Sequence, residues 1–165
     1  MKKLISVALA SALGLGLGTS HAQSDQPAAI KVDRMSMEMA YLAANAAVEA
    51  CRDMGIQVGV TVVDRSGHPQ VVLRDVLAPD LTLRISEMKA YTALSFGSST
   101  SAITERGDGA LGHVPGLMFG AGGVTIEAGG STFGAIGVSG APSGDTDEEC
   151  AVVGAERVAA ELEFL

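Results

Sequence analysis

Gly129-Gly130 stands between two runs of β-forming residues, Val124 to Ala128 and Ser131 to Ser139, and no other feature of the chain constrains its fold as tightly. Two adjacent glycines supply the positive backbone angles of a two-residue hairpin turn, whose twist matches that of the strands it joins. The spacing predicts an antiparallel pair. A second pair is expected upstream: Val58, Val60 and Val62 alternate with Gln57, Gly59 and Thr61, then Asp64-Arg65-Ser66-Gly67 precedes another β-rich stretch, Gln70 to Arg74. Local hairpins join antiparallel neighbours, whereas parallel strands need long crossovers. The pattern therefore argues for a mainly antiparallel sheet covered by helices, against a nucleotide-binding parallel sheet.

Three segments carry helical spacing. From Asp33 to Met54, Ala40, Ala43, Ala47 and Ala50 form a small-residue face, with Asp33 or Ser36 as N-cap and Gly55 just beyond the end. Asp80 to Phe96 places Leu81, Ile85 and Met88 on one side and stops at Gly97. Thr146 and Glu149 read as a capping box, which starts a C-terminal helix near Asp147. A short helical turn around Ala102 to Arg106 leads into Gly107–Gly123, seven glycines in seventeen residues. Such a segment is either a plain connection or the wall of a ligand site. The predicted order is α-β-β-α-loop-β-β-α.

Lys2 and Lys3 precede an apolar stretch, Leu4 to Leu17, and Ser20-His21-Ala22 supplies small residues at −3 and −1 of a cleavage point before Gln23. Residues 1–22 read as a secretory signal peptide, and 33–165 as a single domain. The expected localisation is periplasmic or secreted, with no membrane insertion after cleavage. The formal charge is −8; without Lys2 and Lys3, nine cations face nineteen carboxylates, a balance of −10. With 4% aromatic residues and no basic run, neither nucleic acid nor an anionic membrane is an expected partner.

Export admits two readings of Cys51 and Cys150, near the end of the first helix and the start of the last. They form a disulfide if those helices pack antiparallel, or they are two small buried thiols. Other chemical signals are weak. Gly137-Val138-Ser139-Gly140-Ala141 has Ala141 where a hydrolase elbow requires glycine. Asp145, Asp147, Glu148 and Glu149 lack calcium-loop spacing and suit a helix first turn instead. Outside the leader only His68, in a predicted turn, and His113, in the glycine-rich loop beside Val114-Pro115, remain as imidazoles.

Several stretches together resemble the GlcG/HbpS family, found also as the C-terminal domain of PduO-type corrinoid adenosyltransferases. They are Val60-Thr61-Val62-Val63-Asp64 with Gly67 and His68, Arg74, Lys89-Ala90 with Thr92-Ala93, Pro115-Gly116, Gly122-Gly123-Val124, and Gly134-Ala135-Ile136-Gly137-Val138-Ser139-Gly140. The likeness runs from about residue 35 to the C-terminus. It implies an α+β fold, a three-layer α/β/α sandwich around a five-stranded antiparallel sheet. It also implies assembly into homo-oligomers and, in several members, haem binding.

The leading expectation is thus an extracytoplasmic protein that stores, carries or senses haem. His113 or His68 is the candidate axial ligand of the haem iron, His113 being the first choice. Arg74 or Lys89 would pair with propionates, Thr92 would shape the pocket, and Met118, Phe119 and Ile126 would cover the macrocycle. The chain carries no C-x-x-C-H motif, so binding would be reversible. Two other classes remain open. One is an enzyme or binding protein for a small organic acid, using Lys89 and Asp64 in a pocket between subunits. The other is an accessory module that docks on a sensor or dehydrogenase.

Overall fold

The structure, a computed structural model, describes residues 27–163; the leader expected at residues 1–22 lies outside them. Helix α1 spans Met37–Asp53, and Ser36 is its N-cap, its hydroxyl accepting from the Met39 N–H at 3.3 Å. Strands β1 (Gly59–Asp64) and β2 (Pro69–Arg74) follow, then helix α2 (Leu81–Phe96), which ends on Gly97 in the left-handed conformation. Two 3-10 segments follow, Ser101–Asp108, which overlaps the start of the glycine-rich stretch, and Ala110–His113 within it, before β3 (Gly123–Ala128) and β4 (Ser131–Ser139). Helix α3 covers Gly144–Glu163. It starts three residues before the expected point because Ser143, not Thr146, caps it: the Ser143 hydroxyl accepts from the Thr146 N–H at 3.2 Å.

Both expected hairpins form, and β1 pairs with β4 to join them into an antiparallel sheet of order β2-β1-β4-β3. The described residues hold four strands, against the five implied by the family resemblance, and the segment between α2 and β3 adds none to the sheet. Alternation along the strands assigns the packing. Val60, Val62, Ile136 and Val138 are buried in one cluster with α1 and α3, whereas Val63 and Ala135 pack with Ala90 and Ala93 of α2.

Small residues set the distances between these elements. A Cβ at Gly137 would lie 2.0 Å from the Ser86 carbonyl oxygen and 2.6 Å from the Ala90 nitrogen, so α2 approaches β4 backbone to backbone. Gly154 of α3 lies as close to the Ala43 carbonyl oxygen of α1, 2.6 Å from an added Cβ. Gly137→Ala must push α2 off the sheet and is expected to cost about 1–3 kcal/mol or more. A urea melt with an unchanged midpoint would contradict that close approach. Cys51 and Cys150, both fully buried, are joined by a disulfide between α1 and α3 with a Cα–Cα distance of 5.6 Å. That settles the open choice between disulfide and free thiols.

Candidate haem site at the first hairpin

The turn between β1 and β2 is organised by one carboxylate. Asp64 Oδ1 accepts from the backbone N–H of Ser66 at 2.8 Å and of His68 at 3.0 Å, while the Gly67 N–H donates to the Asp64 carbonyl at 2.9 Å. This is the local bonding that favours aspartate at a turn start. Gly67 has φ +83°, and an added Cβ would lie 2.8 Å from the Tyr91 ring, so the turn rests on α2 through a residue that has to be glycine. From the segment before α1, Arg34 donates to Asp64 Oδ2 at 2.9 Å and to the Ser66 hydroxyl at 3.2 Å.

His68 is presented outward by this turn, its side chain 81% exposed, with Nδ1 3.8 Å from Asp64 Oδ1. At that distance the carboxylate makes no hydrogen bond to the ring, and both ring nitrogens face solvent on a turn whose backbone Asp64 fixes. Arg65 and Ser66 of the same turn line a cleft of about 350 Å³ together with Tyr91, Leu94 and Ser95 of α2 and Thr132 of β4, and His68 is not among its lining residues. Among the described residues no three His, Cys, Asp or Glu side chains converge to hold a bare metal ion. Iron at His68 would therefore need a macrocycle to supply most of its ligands.

Burial works to raise the Asp64 pKa, but the N–H groups of His68 and Ser66, with the Arg34 and His68 charges, outweigh it and hold the carboxyl below the ordinary 3.8. A depressed folded pKa contributes stability that is complete above the unfolded value and lost as pH falls through the folded one. Asp64→Asn should therefore narrow its stability deficit as pH drops below about 4. Paired thermal melts across that range check it, and a deficit constant with pH would contradict it.

The remaining expected site residues do not gather here. Lys89 is buried, and its Nζ donates to Asp147 Oδ2 at 2.7 Å and to the Val138 carbonyl at 3.0 Å. It is therefore not available to a propionate. Nor does it share a pocket with Asp64, which is engaged by Arg34. Burial raises the Asp147 carboxyl above its ordinary value, against the opposing hydrogen bonds from Lys89 and from the Ala141 and Gly140 backbone. Thr92 is buried scaffolding: its hydroxyl donates to the Met88 carbonyl at 2.7 Å and accepts from the Met118 N–H at 2.8 Å, which pins the half-buried Met118. Arg74 donates to the Ala78 and Asp75 carbonyls beyond the end of β2.

His113 ends the second 3-10 segment, exposed, with no carboxylate within 4 Å among the described residues. Phe119 packs edge-on against Phe96 at 5.4 Å, and Ile126 is fully buried in the core beneath α1 and α3, so neither covers a ligand at the surface. Arg65 and Tyr91, which line the cleft, are residues that the sequence reading did not single out, and no sequence signal joins them, since one lies on the first turn and the other on α2.

A four-stranded antiparallel sheet flanked by helices, with an exposed imidazole on a hairpin that a carboxylate organises, defines an α+β domain with neither a dinucleotide fingerprint nor a hydrolase elbow among its described residues. Residues 35–156 match the family model "Haem degrading protein HbpS-like". The chain belongs to the HbpS-like family. It is 41% identical to a crystal structure of HbpS, covering 78% of this chain and 93% of that one with a TM-score of 0.74. It is 36% identical to a double mutant of HbpS from Streptomyces reticuli, covering 92% and 97% at 0.74. The crystallised PduOC:heme complex shares the fold at 24% identity and a TM-score of 0.67, over 76% of this chain and 95% of that one. No curated protein matches the chain.

Proposed function

We propose that this chain binds haem reversibly at the first hairpin, with His68 Nε2 on the iron, Arg65 toward a propionate, and Tyr91 and Leu94 against the porphyrin face. The observation that supports the reading is the exposed His68 on the turn that Asp64 organises, a turn whose Arg65 and Ser66 line a cleft with Tyr91 and Leu94, in a chain of the HbpS-like family. When bound, the group would supply iron redox chemistry; the chain's own part is to present one imidazole, offer a guanidinium to a carboxylate, and cover one apolar face. A cleft of about 350 Å³ is smaller than a porphyrin. A cleft of that size would hold the group reversibly, which favours storage, carriage or sensing. The leader-like residues 1–22 and the disulfide support export to the periplasm or beyond.

Haemin titration followed by absorption spectroscopy tests this. A saturable Soret shift is expected, lost or weakened at least about tenfold by His68→Ala, and retained by His113→Ala. Loss with His113→Ala alone would move the iron to the glycine-rich segment. No shift beyond that of a non-binding control protein would end the haem reading. Soret decay in the presence of a reductant and oxygen, rather than a stable band, would show that bound haem is degraded.

A further inference from the structure

Helices α1 and α3 touch through Ala43, Ala47 and Gly154, and on their solvent side the seam opens into a trough of about 570 Å³. Ala46, Ala50 and Cys150 form its floor. Met54 and Val153 line it and stay 46% and 45% exposed, which leaves an apolar strip open to solvent between its carboxylates. Glu49, Asp53 and Glu149 also line it, and at Glu149 it adjoins a second cleft of about 390 Å³ that adds Asp145, Glu148 and Val152. Neither cleft is lined by a Lys, Arg or His. Glu49 is engaged by Arg52, and Glu148 by Ser101 and Gly122. Asp53, Asp145 and Glu149 have no cationic partner within 4 Å among the described residues.

We propose that this trough is a docking site for a basic amphipathic helix of a partner protein. The apolar floor calls for an apolar stripe, and the small alanines allow a third helix to settle between two others as a ridge into a groove. The carboxylates select the charge of the flanks: lysines or arginines beside the stripe would meet Glu149, Asp53 and Asp145. A second copy of this chain would bring the same carboxylates to a symmetric contact, and an anionic membrane would be repelled in the same way. Cys150 lies in the trough, so the disulfide to Cys51 holds α1 and α3 at a fixed spacing beneath it. Such a trough exists before its occupant arrives, which lowers the ordering cost of binding. The trough is built from helices that pack on the face of the sheet opposite α2, and so it is separate from the His68 cleft and independent of the haem reading.

Fluorescence anisotropy of a labelled helical peptide with one leucine face and one lysine face, titrated with the oxidised chain, tests the proposal. Saturable binding of one peptide per chain is expected. Glu149→Lys and Val153→Asp should each weaken it by about tenfold or more, with Glu87→Lys on α2 leaving it unchanged and circular dichroism confirming that all three fold. Equal weakening by Glu87→Lys would reduce the effect to diffuse charge attraction and overturn the proposal. So would equal binding of a peptide with glutamates in place of the lysines, or an absence of saturation. Sedimentation showing that the chain self-associates, and that Val153→Asp abolishes it, would assign the trough to a second copy instead.

Discussion

Lys89→Met is expected to lower folding stability by about 3–5 kcal/mol, because it leaves the Asp147 carboxylate buried without its counter-charge. Both side chains are about 5% exposed, and each is held by a second bond, Lys89 Nζ to the Val138 carbonyl and the Ala141 N–H to Asp147 Oδ1. The pair ties α2 to the N-terminal turn of α3 and to the end of β4. One lost contact therefore loosens three elements. Pairing the substitution with Asp147→Asn should recover most of the loss, since the amide removes the charge and still accepts from Ala141. The deficit of the single variant should also depend on pH. Without Lys89 the raised Asp147 pKa rises further, and a raised folded pKa costs stability in full above its own value and less as pH falls toward the unfolded one. The loss should be larger at about pH 8 than at about pH 5. Urea denaturation at both values checks it; a deficit under about 1 kcal/mol at either pH would mean that the pair behaves as a solvated surface bridge.

Loss of the Cys51–Cys150 disulfide is expected to have a similar effect by a different route. The two residues are 99 apart in sequence, and in the chain-entropy account a loop on the order of 100 residues contributes about 4–5 kcal/mol by restricting the unfolded chain. Measured losses for small secreted domains run at about 2–5 kcal/mol. Urea melts with and without dithiothreitol, and of Cys51→Ala/Cys150→Ala, would measure it. An unchanged midpoint would mean that the thiols are not linked in the folded protein. Because both sulfurs are fully buried, reduction under native conditions should also be slow and follow transient opening of the α1–α3 seam.

The two strongest predictions concern scaffolding rather than ligand, and this reflects how the sequence divides. Lys89 and Thr92 stood out in a family-like segment as pocket residues, yet the structure turns both inward. Nothing in a one-dimensional pattern distinguishes a helix lysine at a ligand from one that meets an aspartate 58 residues away. His68 was legible as a turn histidine, and the Asp64 that fixes the backbone of its turn lies four residues before. Arg65 and Tyr91 were not legible as a pair, because the cleft they share exists only where the first hairpin lies across α2.

By itself, the sequence determined what local chemistry controls. Gly129-Gly130 and Asp64–Gly67 close the two hairpins, Ser36 caps α1, Gly97 ends α2, and the alternation of Val58, Val60 and Val62 selects the face of β1 that meets α1 and α3. Each of these depends on neighbours within a few residues, where backbone angles and short hydrogen bonds decide the outcome. Only the tertiary structure decided the rest: that β1 pairs with β4, that Cys51 meets Cys150, that Lys89 is spent on Asp147, and that an acidic trough opens between α1 and α3. Those outcomes depend on contacts between distant segments, whose closure entropy and packing are properties of the whole fold and are written into no single stretch of the chain.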